Sequence, residues 1–319
     1  MVNKPTSWRS AARYALPLSG ALLGGALGVA GYTAYSLNRP RPRAWQEEFT
    51  FSPIEVQVPF EDVSFETVDG LTIRGWFFPR HETSHVAVCC TGHRGAKHEL
   101  LGIGSALWRA GNNVLLFDFR GCGDSDPSPI SLAHREVADA LAAVRYVSDR
   151  VPNARIAMVG HSMGAAVAIL VAATDPSVLG VVADSSFTSI RDLVAHHFQR
   201  HRLPPSVVPL TDIVNRWRYG YRFAAVRPID VVARISPRPL LFIHGMNDSL
   251  IPVEHTLRLY EAAGEPKELW LVDGARHVGA YFHDRTAYVR RVAEFVERAL
   301  RDGDAESEGQ PSHAGQDRT

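Results

Sequence analysis

Gly160-His161-Ser162-Met163-Gly164 is the part of the chain whose residue types and spacing most directly suggest chemistry. It follows an apolar, β-branched run and opens an Ala-rich helical one, the strand–turn–helix context of a nucleophile elbow. Glycine on both sides leaves room for a sharp, strained turn, so the Ser162 side chain projects from the sheet at a helix N-terminus. Free backbone N–H groups and partial positive charge there favour the oxyanion of acyl transfer. A serine needs a base and the base needs an orienting acid. Asp248, in His244-Gly245-Met246-Asn247-Asp248, and His277, after Asp273-Gly274-Ala275-Arg276, each follow the end of an apolar run and are the candidates. His283 is the rival base and Asp273 the rival acid. Oxyanion donors are expected from the backbone N–H groups of His93, in Thr91-Gly92-His93-Arg94-Gly95, and of Met163. The His93 imidazole as a second general base is an alternative. Asp118-Phe119-Arg120-Gly121-Cys122-Gly123-Asp124-Ser125 is a Gly-rich turn in which Arg120 and Asp124 are expected to fix adjacent loops, and Ser125 lacks the elbow context.

These residues need a scaffold that brings several strand ends together. Short β-branched or aromatic runs alternate with longer amphipathic ones, the pattern of a mostly parallel sheet covered by helices. Glu61–Val68 and Leu71–Phe78 flank the turn Asp69-Gly70 and predict an antiparallel opening hairpin. Val86–Cys90, Asn113–Phe119, Ile156–Gly160, Leu179–Ala183, Leu240–His244 and Glu268–Val272 read as strands buried on both faces. Helices are predicted over His98–Ala110, Leu132–Asp149, Met163–Ala173, Val253–Ala263 and Arg285–Leu300. Ser162, Asp248 and His277 then all lie beyond carboxyl ends of strands, where the ligand-facing loops of such a sheet gather. Phe187–Arg227 is too long for a simple crossover and carries Pro204-Pro205 and Pro209, so it reads as an inserted cap.

With 319 residues, 45% of them apolar, the chain has room for one catalytic domain, placed at 61–301. Its 34 basic and 34 acidic side chains cancel, which argues against a nucleic-acid partner and for a small-molecule one. Cys89, Cys90 and Cys122 have neither disulfide nor metal-ligand spacing, and no metal or organic cofactor is implied. Ahead of the domain, a basic segment (1–14) precedes Ala15–Leu37, which has no charge and as a helix would span about 35 Å, a transmembrane candidate. Lys4, Arg9 and Arg13 face Arg39, Arg41 and Arg43 across it, so the side of the catalytic domain stays open. A cleaved signal peptide is the competing reading. A helix buried in the globular core is a third, disfavoured because the catalytic pattern starts later and is complete without it. The Pro/Arg-rich 38–60 reads as an extended linker and the polar 302–319 as a disordered tail.

Gly160–Gly164, Asp118–Ser125, His244–Asp248 and His277 together resemble the α/β-hydrolase superfamily over about Val63–Leu300, including its chain order of Ser, then Asp, then His. Val63–Gly70 leading into Leu71–Pro79 resembles membrane-anchored members grouped with the serine aminopeptidase and prolyl oligopeptidase-like families. One departure is Thr91, where many relatives carry His before Gly92. The resemblance implies the α/β-hydrolase fold and a serine hydrolase acting through an acyl-enzyme on a small-molecule acyl substrate. Carboxylic esters or thioesters are favoured, because the cap carries Arg191, Arg200, Arg202, Arg216, Arg218, Arg222 and Arg227 against Asp192 and Asp212. An aminopeptidase site would offer a carboxylate to the substrate's ammonium group. The basic cap also fits anionic lipid or an anionic substrate. A peptidase of the same fold, and a catalytically silent membrane-tethered binding module, are the alternatives.

Overall fold

The computed structural model describes residues 8–42 and 51–308. Eight strands form one sheet: β1 (Glu61–Glu66), β2 (Thr72–Phe78), β3 (His85–Cys90), β4 (Asn113–Phe117), β5 (Arg155–His161), β6 (Val178–Asp184), β7 (Leu240–Gly245) and β8 (Lys267–Val272). They lie in the order β8-β7-β6-β5-β3-β4-β2-β1. The β1–β2 hairpin pairs antiparallel, β2 runs antiparallel to β4, and every other pairing is parallel. Between β5 and β3 the strand order reverses direction, so the loop after β3 and the turn after β5 open into one crevice at the carboxyl edge.

The helices are α1 (Trp8–Asn38), α2 (Leu101–Arg109), α3 (Glu136–Arg150), α4 (Met163–Ala172), α5 (Ile190–Arg200), α6 (Val207–Tyr219), α7 (Val253–Ala262), α8 (Ala280–His283) and α9 (Arg285–Glu308). Side chains of α3, α4 and α7 cover one face of the sheet, and those of α2 and α9 cover the other. Burying both faces explains why β3, β4 and β7 are runs of Val, Leu, Ile, Phe and Cys without polar alternation. α3 starts four residues later than expected, because Leu132 and Ala133 adopt positive φ (48° and 76°). The Glu136 carboxylate accepts hydrogen bonds from the backbone N–H groups of Ser131 and Ala133 and from the Ser131 hydroxyl, which holds that irregular turn.

The segment read as a cap holds α5 and α6, inserted between β6 and β7. Ser189 caps α5 by accepting from Asp192 N, and α6 stops where Gly220 turns left-handed (φ 80°). The arginines of the cap are exposed apart from the half-buried Arg227, which pairs with Asp230.

The N-terminal expectations need correction. Among the described residues no helix is long and apolar enough to cross a membrane, so a span over 15–37 is not supported. The second half of α1 packs on the cap instead. Ala30 and Ala34 are buried, and Asn38 Nδ2 donates to Asn215 Oδ1 of α6 (2.8 Å) while its Oδ1 accepts from the Tyr221 hydroxyl (3.1 Å). A stretch rich in Gly and Ala lets helices approach closely, in protein as in lipid. The segment read as a spacer is likewise bound: Arg41–Pro42 pairs in parallel with Cys122–Gly123, and Arg41 N donates to Gly121 O (2.7 Å). Residues 43–50 of that linker and residues 1–7 of the basic segment lie outside the described residues. At the other end α9 continues to Glu308, and residues 309–319 of the expected tail also lie outside them.

Candidate active site

Ser162 follows β5 and caps α4 with φ 55° and ψ −115°, a conformation that costs a non-glycine residue energy and is held by its surroundings. The surroundings explain the flanking glycines. A Cβ on Gly160 would lie 2.3 Å from Gly164 O, and one on Gly164 would lie 2.3 Å from Cys90 O. Strand, turn and helix therefore close on each other only without side chains there. Behind the turn, Ser162 N donates to Asp184 O (2.8 Å) at the end of β6.

The loops after β7 and β8 bring the other two residues to the serine. His277 Nδ1 lies 2.6 Å from Asp248 Oδ2, and His277 Nε2 lies 2.9 Å from Ser162 Oγ. A carboxylate only accepts, so Nδ1 carries the proton and Nε2 is left to accept from the serine hydroxyl. Asp248 is 7% exposed, and its Oδ1 accepts from Leu250 N and Ile251 N, both at 2.9 Å. Burial alone would raise its carboxyl pKa, but the hydrogen bonds from His244 and His277 outweigh it and hold the group well below the usual carboxylate range. Asp248 is thus an anion at neutral pH.

The rivals are elsewhere. Asp273 is exposed and bonds the backbone of Gly274, and His283 is exposed on α8. Ser125 is a structural link: its hydroxyl donates to Asp118 O and accepts from Arg74 N. Arg120 bridges Asp69 and Asp139, and Asp124 pairs with Lys97, so both tie loops together as expected.

The loop after β3 lies against Ser162, and a Cβ built on Gly92 would lie 3.4 Å from Ser162 Cβ. As first residue of α4, Met163 has no carbonyl within its helix for its N–H, which leaves that donor beside Ser162. The His93 imidazole is engaged: Nε2 donates to Leu37 O at the end of α1 (2.9 Å). Burial lowers its pKa, which favours the neutral ring. Two cavities meet at Ser162. The larger, of about 1010 Å³, is bounded by α1, the cap and the 93–94 loop, and the smaller, of about 530 Å³, by His277, Tyr281 and Phe282. No group of three His, Cys, Asp or Glu among the described residues is placed to hold a metal.

Three supporting residues have no assignment from sequence. The fully buried His244 bonds Ile251 O through Nε2 (2.8 Å) and Thr256 Oγ1 through Nδ1 (2.7 Å), and its Nε2 lies 3.4 Å from Asp248 Oδ2. His161 meets the Tyr288 hydroxyl (2.9 Å), which donates to Asp184 (3.0 Å) beneath the serine turn. The signal for His244 was its place at the head of the His-Gly-x-x-Asp segment, and for His161 its place beside the serine. Tyr288 had none, being one of two aromatics on α9.

Against known proteins, the family model for the alpha/beta hydrolase fold matches residues 88–215. The chain is 34% identical over 241 residues to the uncharacterized protein Rv2307c of Mycobacterium tuberculosis, covering 74% of this chain and 78% of that one. It is 30% identical over 233 residues to the uncharacterized protein YqkD of Bacillus subtilis, covering 72% and 76%. Among solved structures it is similar to the Pyrococcus furiosus esterase Pf2001, with a TM-score of 0.67 and 26% identity over 82% of this chain and 96% of that one. The protein belongs to the α/β-hydrolase superfamily. Its fold and its esterase-like structural neighbours are those of a hydrolase.

Proposed function

We propose that the protein is a serine hydrolase that cleaves a carboxylic ester or thioester through an acyl-enzyme. Ser162 is the nucleophile, His277 the general base and Asp248 the residue that fixes the histidine tautomer. The observation that carries this reading is the continuous relay from Asp248 Oδ2 through His277 to Ser162 Oγ, at 2.6 and 2.9 Å, ending where two cavities meet. In the first half-reaction the serine oxygen bonds the acyl carbon, and its proton passes to His277 Nε2. The backbone N–H groups of His93 and Met163 receive the oxyanion. When the intermediate collapses, the bond to the leaving oxygen or sulfur breaks and that atom takes the proton from His277. Water repeats the cycle on the acyl-enzyme and releases the acid.

The ester reading is preferred to the aminopeptidase one because, among the described residues, the one carboxylate lining either cavity is Glu99, which already pairs with Arg41 (3.4 Å). A substrate ammonium group would find no unpaired anion there. The test is labelling by a fluorophosphonate, with mass-spectrometric location of the adduct, alongside hydrolysis of p-nitrophenyl acetate. Labelling on Ser162 that disappears in Ser162→Ala is expected. A protein that neither labels nor turns over an ester would be a binding module instead.

A further inference from the structure

The two cavities at Ser162 differ in what surrounds them, and the chemistry of acyl transfer assigns each a half of the substrate. The leaving oxygen or sulfur has to collect its proton from His277 Nε2, so the leaving group lies on the histidine side. That side is the smaller cavity, which His277 lines together with Val278, Tyr281 and Phe282. The acyl chain then extends the other way, past Met163 and His93 into the larger cavity. Its walls are mostly apolar, among them Val29 and Leu37 of α1, Phe187, Leu193 and Leu203 of the cap, and Leu250, with Arg41, Arg94, His197 and His201 as basic members. At about 1010 Å³ it lies at the upper end of the range for drug-sized ligands.

One wall of this cavity is the second half of α1, and α1 is not loosely laid there. Asn38, Asn215 and Tyr221, all buried, are joined by hydrogen bonds between α1 and the cap. Leu37 O accepts from the imidazole of His93, the residue whose backbone is expected to receive the oxyanion. The wall and the loop beside the nucleophile are thus one connected piece. In that wall Gly28 borders the cavity, and a Cβ added to it would meet no atom within 4 Å. The helix therefore leaves space here that a side chain would occupy.

Resting on the serine-hydrolase reading, we propose that the second half of α1 is the wall of an acyl-chain pocket. The substrates are esters or thioesters of long apolar acyl groups, and the absence of a side chain at Gly28 sets the depth of the pocket. The helix that reads as a membrane span is a specificity element of the active site.

The experiment compares kcat/KM for p-nitrophenyl acetate, octanoate and palmitate, and for the acetyl ester of a long-chain alcohol, in the full chain, in Gly28→Leu and in Gly24→Leu. Gly24 also has nothing within 4 Å of its Cβ direction, lies one turn away on the same helix and does not line the cavity, so it controls for the change in helix composition. Both substitutions replace a helix glycine by a good helix former, so folding is not put at risk. The unaltered protein is expected to prefer octanoate or palmitate to acetate. Gly28→Leu is expected to lower the ratio of long-chain to acetate hydrolysis at least about tenfold, the scale on which a hydrophobic pocket discriminates by size. Gly24→Leu should keep the original ratio. A preference for acetate in the unaltered protein, or an unchanged ratio in Gly28→Leu, would overturn the pocket. So would a loss in Gly28→Leu confined to acetyl esters of long-chain alcohols, which would put the leaving group in this cavity. Those results, with acetate still hydrolysed and Ser162 still labelled, would leave the serine-hydrolase reading standing. A protein inert to every ester and to fluorophosphonate would end both.

Discussion

Two of the buried constellations of charge and hydrogen bonds in this molecule differ in what they leave open to a new bond. Around Arg120, which is 1% exposed, the guanidinium makes four hydrogen bonds of 2.7–2.9 Å, two to Asp139 and two to Asp69. The backbone N–H of Arg120 adds a third bond to Asp139 (3.0 Å). This cluster joins the β1–β2 turn, the loop after β4 and α3, and borders neither cavity at the serine. The Ser162–His277–Asp248 relay is built from similar pieces, including a buried carboxylate with several donors. It ends, however, in a hydroxyl that faces open space on two sides. Burial and pairing are common to both. What separates an ion-pair joint from a candidate reaction centre is a polar atom still able to form a new bond where a substrate can reach it.

Breaking the two sets apart should give opposite signatures. The largest expected effect is that of Ser162→Ala: a loss in kcat on the order of 10⁶ with the melting temperature little changed, measured by ester hydrolysis and thermal unfolding. A variant that kept its turnover would remove the chemical side of the comparison. Next comes Asp248→Asn, where the geometry persists but the amide no longer enforces the His277 tautomer. A fall of about 10⁴ in kcat is expected for it. Arg120→Met should do the reverse. It leaves Asp139 buried without its counter-ion, so urea unfolding should register a loss of about 3–5 kcal/mol while kcat per folded molecule is kept. If Arg120→Met lowered kcat in a protein of undiminished stability, the cluster would belong to the reaction centre after all.

The same contrast explains what could be read from the sequence. The serine turn was legible because its requirements are local: two glycines where backbones approach within 2.3–2.5 Å of a would-be Cβ, a strand before and a helix after. The doubly buried strands were legible because burial on both faces leaves a continuous apolar run. Asp248 and His277 could be placed by strand end alone, since 115 residues separate His277 from Ser162 and no local pattern joins them. The role of α1 was not legible. An uncharged stretch rich in Gly and Ala has the same composition whether it meets lipid or another helix. The contact that decides, Asn38 to Asn215, spans 177 positions. The late start of α3 was hidden for a related reason, because apolar periodicity cannot reveal that the Glu136 carboxylate holds Leu132 and Ala133 in left-handed turns.

The smallest expected effect lies between the two regions, at His255. This imidazole on α7 is 6% exposed, and its Nδ1 accepts from Thr188 N (3.2 Å) and meets the Thr188 hydroxyl (2.8 Å) where the cap leaves β6. It faces the Asp192 carboxylate, which also pairs with Arg258, yet burial pushes its pKa from 6.5 down to about 4. The folded protein therefore keeps the ring neutral at a pH where the unfolded chain protonates it. Between pH 6.5 and 4 the unfolded state binds more protons, so stability falls as pH falls through that window and is intact above it. A shift of this size is worth roughly 3 kcal/mol at its full extent. Urea unfolding at pH 7 and at pH 4.5 should show most of that loss in the unaltered protein and much less of it in His255→Gln. At pH 7 both should label at Ser162, because His255 contacts neither His277 nor the serine. Parallel pH dependence in the two proteins would show that His255 does not carry the acid sensitivity. A kcat that followed the His255 protonation would move this histidine from the joints of the fold to its reaction centre.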